Sequence, residues 1–264
     1  MENQSLENVA NLLHKARLSK TPIVQLSKQG ITLNRTQAYQ VQEHGILLRE
    51  NSGEKKIGLK MGLTSEGKRK QMNLDSPLYG ELTDKMQIQN SGKIMISPNL
   101  TGLIHSKIEP EIAFLLKSDL QGEVSREDVL NATDSICACL EILDSRYDQF
   151  KYFSMEDVIA DNSSSSHFIL GSWVKEFKHL DLKELQMNMF VDGKIAEAGL
   201  SKEISGDPVV SIIEQCRLLA IRGKKLKAGT FILAGAATAA ISLKPNSHVQ
   251  LQIDHLPFVD VFTL

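Results

Sequence analysis

Ile108-Glu109-Pro110-Glu111-Ile112-Ala113-Phe114-Leu115-Leu116, with Leu140-Glu141-Ile142-Leu143 further along, sets three acids inside apolar runs of high β-propensity. Side chains alternate faces along a strand, so Glu109 and Glu111 point one way while Ile108, Ile112, Phe114 and Leu116 fill the other face. Glu141 completes a pincer if its strand runs beside the first. Buried ionised carboxylates are costly and repel one another, and a divalent cation relieves both problems. All-oxygen ligation, with no His or Cys at ligand spacing, favours Mg²⁺, Mn²⁺ or Ca²⁺ over zinc, and Mg²⁺ or Mn²⁺ is the expectation. Taken alone, Glu-x-Glu also fits the solvated face of a half-exposed strand with Pro110 at an edge. Glu141, set among Ile136, Leu140, Ile142 and Leu143, does not.

Upstream, Ile57-Gly58-Leu59-Lys60-Met61-Gly62-Leu63-Thr64 alternates as a strand, with Gly58, Lys60 and Gly62 on one face. Two glycines beside Lys60 leave space for a ligand or a backbone, although a solvent-facing lysine on an edge strand fits the pattern equally. Ser65 then begins a polar helical turn, and Asp75-Ser76-Pro77-Leu78-Tyr79-Gly80 reads as a loop. Helices are expected over 5–18, from the apolar spacing of Leu6, Val9, Leu13 and Ala16, and from Asn34, which caps while Gln37 reaches back. In that second helix Gln37, Tyr39, His44 and Arg49 are assigned to the solvated face.

Ser125 with Asp128, and Ser154 with Asp157, read as N-caps of short helices flanking the Glu141 strand. Asp161-Asn162-Ser163-Ser164-Ser165-Ser166-His167 reads as a tight, hydrogen-bonding site loop, with His167 taken as a surface or loop-bracing residue rather than an acid or base. Asp192-Gly193 signals a two-residue hairpin, and Pro208 opens a helix ending near Gly223. Strands are expected at Phe231–Ala234, His248–Ile253 and Val259–Phe262, with Gly235-Ala236-Ala237-Thr238 a small-residue turn that a ligand can approach. The pattern predicts an α+β fold: one domain over 1–264, helical over 1–55 and a curved, mixed-sheet, metal-binding part over 56–264.

Bulk composition fits small-molecule chemistry. The chain has 264 residues, 42% hydrophobic, and 30 basic residues against 32 acidic ones leave a net charge of −2, so nothing points to nucleic acid or an anionic membrane. The first twenty residues lack an apolar signal core, and Phe231 to Ile241 is too short to span a bilayer, which predicts a cytoplasmic protein. Cys137, Cys139 and Cys216 read as packing in a reducing compartment.

Six blocks in order resemble the hydratase/decarboxylase branch of the fumarylacetoacetate hydrolase superfamily: Gly58 to Thr64, Pro77 to Gly80, Glu109 to Phe114, Leu140 to Tyr147, Ala160 to Ser165 and Ala234 to Thr238. The resemblance implies the fumarylacetoacetate hydrolase-like fold, with Mg²⁺ or Mn²⁺ on Glu109, Glu111 and Glu141 and Lys60 as the catalytic cation. The implied reaction is decarboxylation of a 2-oxo dicarboxylate, (3E)-2-oxohex-3-enedioate, to 2-hydroxypenta-2,4-dienoate in catechol meta-cleavage. Hydration of that dienoate is the alternative, and a non-catalytic partner of the hydratase a second one. Leu78 stands where hydratases of the branch tend to have an acid, which inclines the resemblance toward the decarboxylases. Ser163 replaces an expected alanine. Ser163 and Ser164 are candidate hydrogen-bond donors to a substrate carboxylate. Arg146 is a candidate anchor for one, or a partner of Asp144 or Asp148, and Thr238 a candidate substrate contact. A complex with a 2-hydroxypenta-2,4-dienoate hydratase and a homo-oligomer are further implications.

Overall fold

Two long strands in the middle of the chain organise the molecule, and their register follows from one buried face. β5 (Lys107–Leu116) and β6 (Thr133–Leu143) run antiparallel with Glu109 opposite Glu141 and Glu111 opposite Cys139. Ile108, Ile112, Phe114, Ile136, Ala138, Leu140 and Ile142 enter the main core from one face. The opposite face carries Ala113, Cys137 and Cys139, which join Phe168, Phe231 and Leu233 in a smaller apolar cluster. The acids share this second face. A slip of one residue would put them into the main core, so the pattern fixes the register.

The computed structural model describes residues 3–65, 69, 76–95, 102–148 and 154–264. Asp75 and most of the helical turn expected after Ser65 lie outside them. Helices α1 (Asn3–Ser19) and α2 (Arg35–Asn51) pack on each other, and Asn34 and Gln37 form the expected capping box. Then follow β1 (Lys56–Gly62), β2 (Leu78–Thr83), β3 (Gln87–Ile88) and β4 (Gly92–Ile94). Leu78, Tyr79 and Gly80, expected in a loop, are strand residues, because β2 pairs antiparallel with β1, Gly62 opposite Leu78. α3 (Arg126–Ala132) precedes β6 and α4 (Met155–Ala160) follows it, capped by Ser125 and Ser154 as expected.

β7 (Ser165–Leu170) is followed by the hairpin of β8 (Gln186–Val191) and β9 (Lys194–Leu200), whose Asp192 and Gly193 take φ of 50° and 76°. α5 (Pro208–Ala220), β10 (Phe231–Leu233), β11 (Ile241–Ser242), β12 (His248–Ile253) and β13 (Leu256–Thr263) complete the chain. Where a mixed sheet was expected, the described strands form two. The order is β2-β1-β10-β5-β6-β7-β3 in the first, with β11 also on β5, and β4-β13-β12-β8-β9 in the second. β1 with β10 and β3 with β7 are parallel, so the first sheet is mixed. The second packs on it through β12 and β13 against β6 and β7.

Several α2 side chains turn inward against the sequence expectation. Tyr39 is buried and stacked on Tyr79 with ring centroids 4.5 Å apart, and Arg49 is buried with its guanidinium on Glu54 and Thr83. A polar residue type does not reveal that a partner awaits it inside. The three cysteines are free and buried, and burial pushes the Cys137 and Cys139 thiols well up, in keeping with packing.

Candidate active site

Pro110 marks where the sheet opens. β10 leaves β5 at Leu233, paired with Ala113, and β11 rejoins it only at Ile108. Between them the small-residue turn bulges away, and the Pro110 carbonyl accepts the Ala237 N–H at 3.3 Å. Carbonyl and nitrogen of a strand residue face the same side, so the N–H that proline lacks falls in this gap rather than on the β6 ladder. β5 is therefore an interior strand, and Pro110 does not mark an edge.

Glu109, Glu111 and Glu141 meet beside that gap, each offering an oxygen within 4.8 Å of the others. Glu111 and Glu141 are fully buried, whereas Glu109 is half-buried and borders a cavity. Lys60, at 2% exposure, reaches across from β1 and donates to Glu141 Oε2 at 2.9 Å, while Ser165 Oγ donates to Glu141 Oε1 at 3.2 Å. The solvent-facing alternative for Lys60 is excluded. Glu111 Oε2 accepts the Gly235 N–H at 2.7 Å, but Glu111 Oε1 is buried with no hydrogen-bond partner among the described residues. The small-residue turn thus carries a backbone donor, and a Cβ at Gly235, whose φ is 105°, would run into Thr64.

Electrostatics match the geometry. Burial drives the Glu111 carboxyl well above the ordinary carboxylate range, and repulsion from Glu141 and Glu109 adds to it. For Lys60, burial alone would lower the ammonium, but Glu141, Glu109 and Glu111 outweigh it and hold it above its usual value. Three carboxylates against one ammonium leave two uncompensated negative charges. An orphaned carboxylate oxygen, an all-oxygen donor set and that charge deficit are what a Mg²⁺ or Mn²⁺ site requires, so the residues fit the ion.

The cavity above these acids is walled by Lys60, Gly62, Leu63, Thr64, Leu143, Val158, Ser163 and Ala236. A Cβ on Gly62 would lie 2.8 Å from Ser163 Oγ, 2.9 Å from Leu78 Cδ1 and 3.7 Å from Lys60 Nζ, which places Leu78, Ser163 and Lys60 around one spot. Gly58 has a different reason, since the Phe231 ring occupies its Cβ position at 2.6 Å and no ligand space remains. Asn162, Ser163 and Ser164 all take left-handed φ, 50°, 56° and 55°. Non-glycine residues resist that conformation, and something must hold it. Asn162 does so from its side chain, accepting the Glu81 N–H at 2.8 Å and donating to the Glu81 carbonyl at 2.9 Å.

Three expected substrate contacts sit elsewhere. Arg146 is occupied by the protein: its guanidinium donates to the Asp161 carboxylate and to the carbonyls of Asp144, Asp161 and Ser165, and neither Asp144 nor Asp148 is its carboxylate partner. It braces the serine turn. The Ser164 carbonyl accepts the Asp144 N–H at 2.8 Å, so Ser164 belongs to the same brace. Thr238 donates to the Ala239 carbonyl at 3.3 Å and lies outside the cavity wall. Sequence reasoning missed Ser165, Asn162, Thr64 and the Gly235 N–H. Ser165 was visible only as one serine among four, and a backbone donor leaves no signature of residue type.

His167 is half-buried, with Nδ1 2.9 Å from Ser166 Oγ. Burial, with Lys20, Arg49 and Arg17 adding to it, pushes its imidazole down to about 4 from 6.5. A folded-state value below the unfolded one means that the unfolded chain takes up a proton first as pH falls. The contribution is complete above pH 6.5 and is lost progressively toward pH 4. Urea unfolding at pH 7 and pH 5 is expected to show this loss in the wild type and a smaller one in His167→Gln; equal losses would contradict it.

No family model matches the chain. It is 38% identical over 251 residues to a 4-oxalocrotonate decarboxylase of Pseudomonas sp, with 95% of both chains covered. A 2-hydroxyhexa-2,4-dienoate hydratase of Comamonas testosteroni is 33% identical over 254 residues, covering 96% of this chain and 95% of that one. In solved structures, 4-oxalocrotonate decarboxylase from Pseudomonas putida G7, complexed with magnesium and adipate, superposes with a TM-score of 0.94 at 33% identity, over 100% of this chain and 99% of that one. No helix of the described residues is long and apolar enough to cross a membrane.

Proposed function

Because the chain belongs to the family of the 4-oxalocrotonate decarboxylases and their hydratase relatives, in the fumarylacetoacetate hydrolase superfamily, we propose that it decarboxylates (3E)-2-oxohex-3-enedioate to 2-hydroxypenta-2,4-dienoate and CO₂. The observation that carries this is the Glu109, Glu111 and Glu141 cluster, with one oxygen of Glu111 orphaned and Lys60 beside it.

Mg²⁺ or Mn²⁺ held by the three glutamates supplies Lewis acidity toward the 2-oxo acid end of the substrate. Loss of CO₂ from the far carboxylate sends an electron pair through the C3=C4 bond to the 2-oxo oxygen, where negative charge develops. Lys60 is the buried cation that offsets it, and its raised affinity for protons keeps it charged at neutral pH. Ser165 and the Gly235 N–H hold Glu141 and Glu111 in place, so the acids need not reorganise as charge moves. Ser163, fixed over Gly62 by the strained turn, presents a hydroxyl to a substrate carboxylate. Leu78 lies fully buried beside Gly62, behind the cavity lining, where it keeps the surroundings apolar and offers no carboxyl to activate water.

Hydration of the dienoate is the second reading, favoured by the hydratase relatives. Incubation with 2-hydroxypenta-2,4-dienoate separates the two: the proposal expects the dienoate to persist, and its conversion to 4-hydroxy-2-oxopentanoate without CO₂ release from the hexenedioate would overturn it. The product is the kind of compound that the hydratase relatives are named for. A complex with such a hydratase, a homo-oligomer and a cytoplasmic location belong to the same proposal. Co-elution with a purified dienoate hydratase tests the complex.

A further inference from the structure

A second cleft, of about 100 Å³, lies between the N-terminal helices and β7, and it shares no lining residue with the cavity at Lys60. Arg17, Lys20, Arg49, Lys85 and Arg146 border it, against the acids Glu54 and Asp144. Those acids are engaged. Glu54 pairs with Arg49 at 2.7 Å and accepts the Thr83 hydroxyl, and Asp144 accepts the N–H groups of Ile104 and His105 at 3.1 and 2.6 Å. Arg146 is taken by Asp161.

Lys85 is exposed at the rim, and two cations at the end of α1 remain. Among the described residues Arg17 comes no nearer to a carboxylate than 3.8 Å, at Glu54, and its Nε is buried with no acceptor. Lys20 makes no ion pair among the described residues. Surplus positive charge shows in the neighbours. Burial and then Arg49 bring the Arg17 guanidinium down to about 10, and burial followed by Arg17 and Arg49 lowers His14. An arginine whose nearest described carboxylate is 3.8 Å away, beside a lysine without an ion pair and in a cleft of like charges, is a state that a bound anion relieves.

We propose that this cleft binds a small oxyanion, a carboxylate or a phosphate, between Arg17 and Lys20, at a site distinct from the three glutamates. A guanidinium fork recognises either group with paired hydrogen bonds, and the ammonium supplies the second charge. Ser165 links the two places: it borders this cleft, its carbonyl accepts Arg146, and its hydroxyl holds Glu141.

Thermal unfolding of the Mg²⁺-loaded protein tests the site without reference to turnover, so its failure is separable from failure of the proposed reaction. Inorganic phosphate and acetate are each compared with chloride at matched ionic strength, in wild type and in Arg17→Gln/Lys20→Gln. At tenfold excess over Kd, at least one of the two anions is expected to raise the wild-type Tm by about 3 °C. A rise with phosphate alone assigns a phosphate site, and a rise with acetate a carboxylate site. The double variant is expected to lose the rise and, in chloride, to melt at or above the wild-type temperature, because like charges have been removed. Lys20→Gln alone is expected to weaken the effect several-fold and serves if the double variant does not fold. No rise with either anion, or an undiminished rise in the variants, would overturn the proposal.

Discussion

Glu111→Gln is expected to abolish metal binding and turnover while making the metal-free protein more stable. Glu111 is fully buried, and one of its oxygens has no hydrogen-bond partner among the described residues, so beyond the one ammonium it shares with two other glutamates only an added cation can balance its charge. The amide keeps the shape, can still accept the Gly235 N–H, and removes a charge that Glu109 and Glu141 repel. Loss of a direct ligand exceeds the 10- to 100-fold cost typical of disturbing a residue behind one, so metal affinity and rate should each fall by more than about 100-fold. Isothermal titration with Mn²⁺ and the Tm in EDTA read the two effects separately. A variant with wild-type metal affinity, or one less stable than wild type in EDTA, would contradict the assignment.

Lys60→Ala should behave in the opposite way. Lys60 and Glu141 form a buried pair, and removing one member leaves the other uncompensated, typically at a cost of about 3–5 kcal/mol. The metal-free variant is therefore expected to melt well below wild type, and Mn²⁺ to restore much of the difference. Metal binding persists because all three carboxylates remain. Turnover of the loaded variant should still fall by about 100- to 1,000-fold, the usual effect of removing a group that meets developing negative charge. An active, metal-replete Lys60→Ala would show that the cation serves folding alone.

The two variants separate a ligand from a compensating charge, and the sequence had set them apart for related reasons. Glu141 was legible because an acid amid Ile136, Leu140, Ile142 and Leu143 has no surface interpretation, and strand alternation put Glu109 and Glu111 on one face. Period, capping residues and turn chemistry likewise located α1, α2, the Asp192-Gly193 hairpin and the strands of the tail. Long-range pairing was not legible. Leu78 and Tyr79 sit between the turn-forming Asp75-Ser76-Pro77 and Gly80, and pairing with β1 makes Leu78 to Gly80 a strand. Arg146 shows the same limit. Its residue type suits a substrate carboxylate, yet Asp161 and three carbonyls consume it, and only the fold brings them there. The Gly235 N–H could not be named from sequence at all, since every residue but proline has one.

The central claim joins the three glutamates to one reaction, and CO₂ release from 2-oxohex-3-enedioate tests it most directly. The protein is stripped with EDTA, assayed, then given Mg²⁺ or Mn²⁺ and assayed again. No release without metal and restored release with either ion is the expected result. Release that persists in EDTA, or none with either metal, would contradict it.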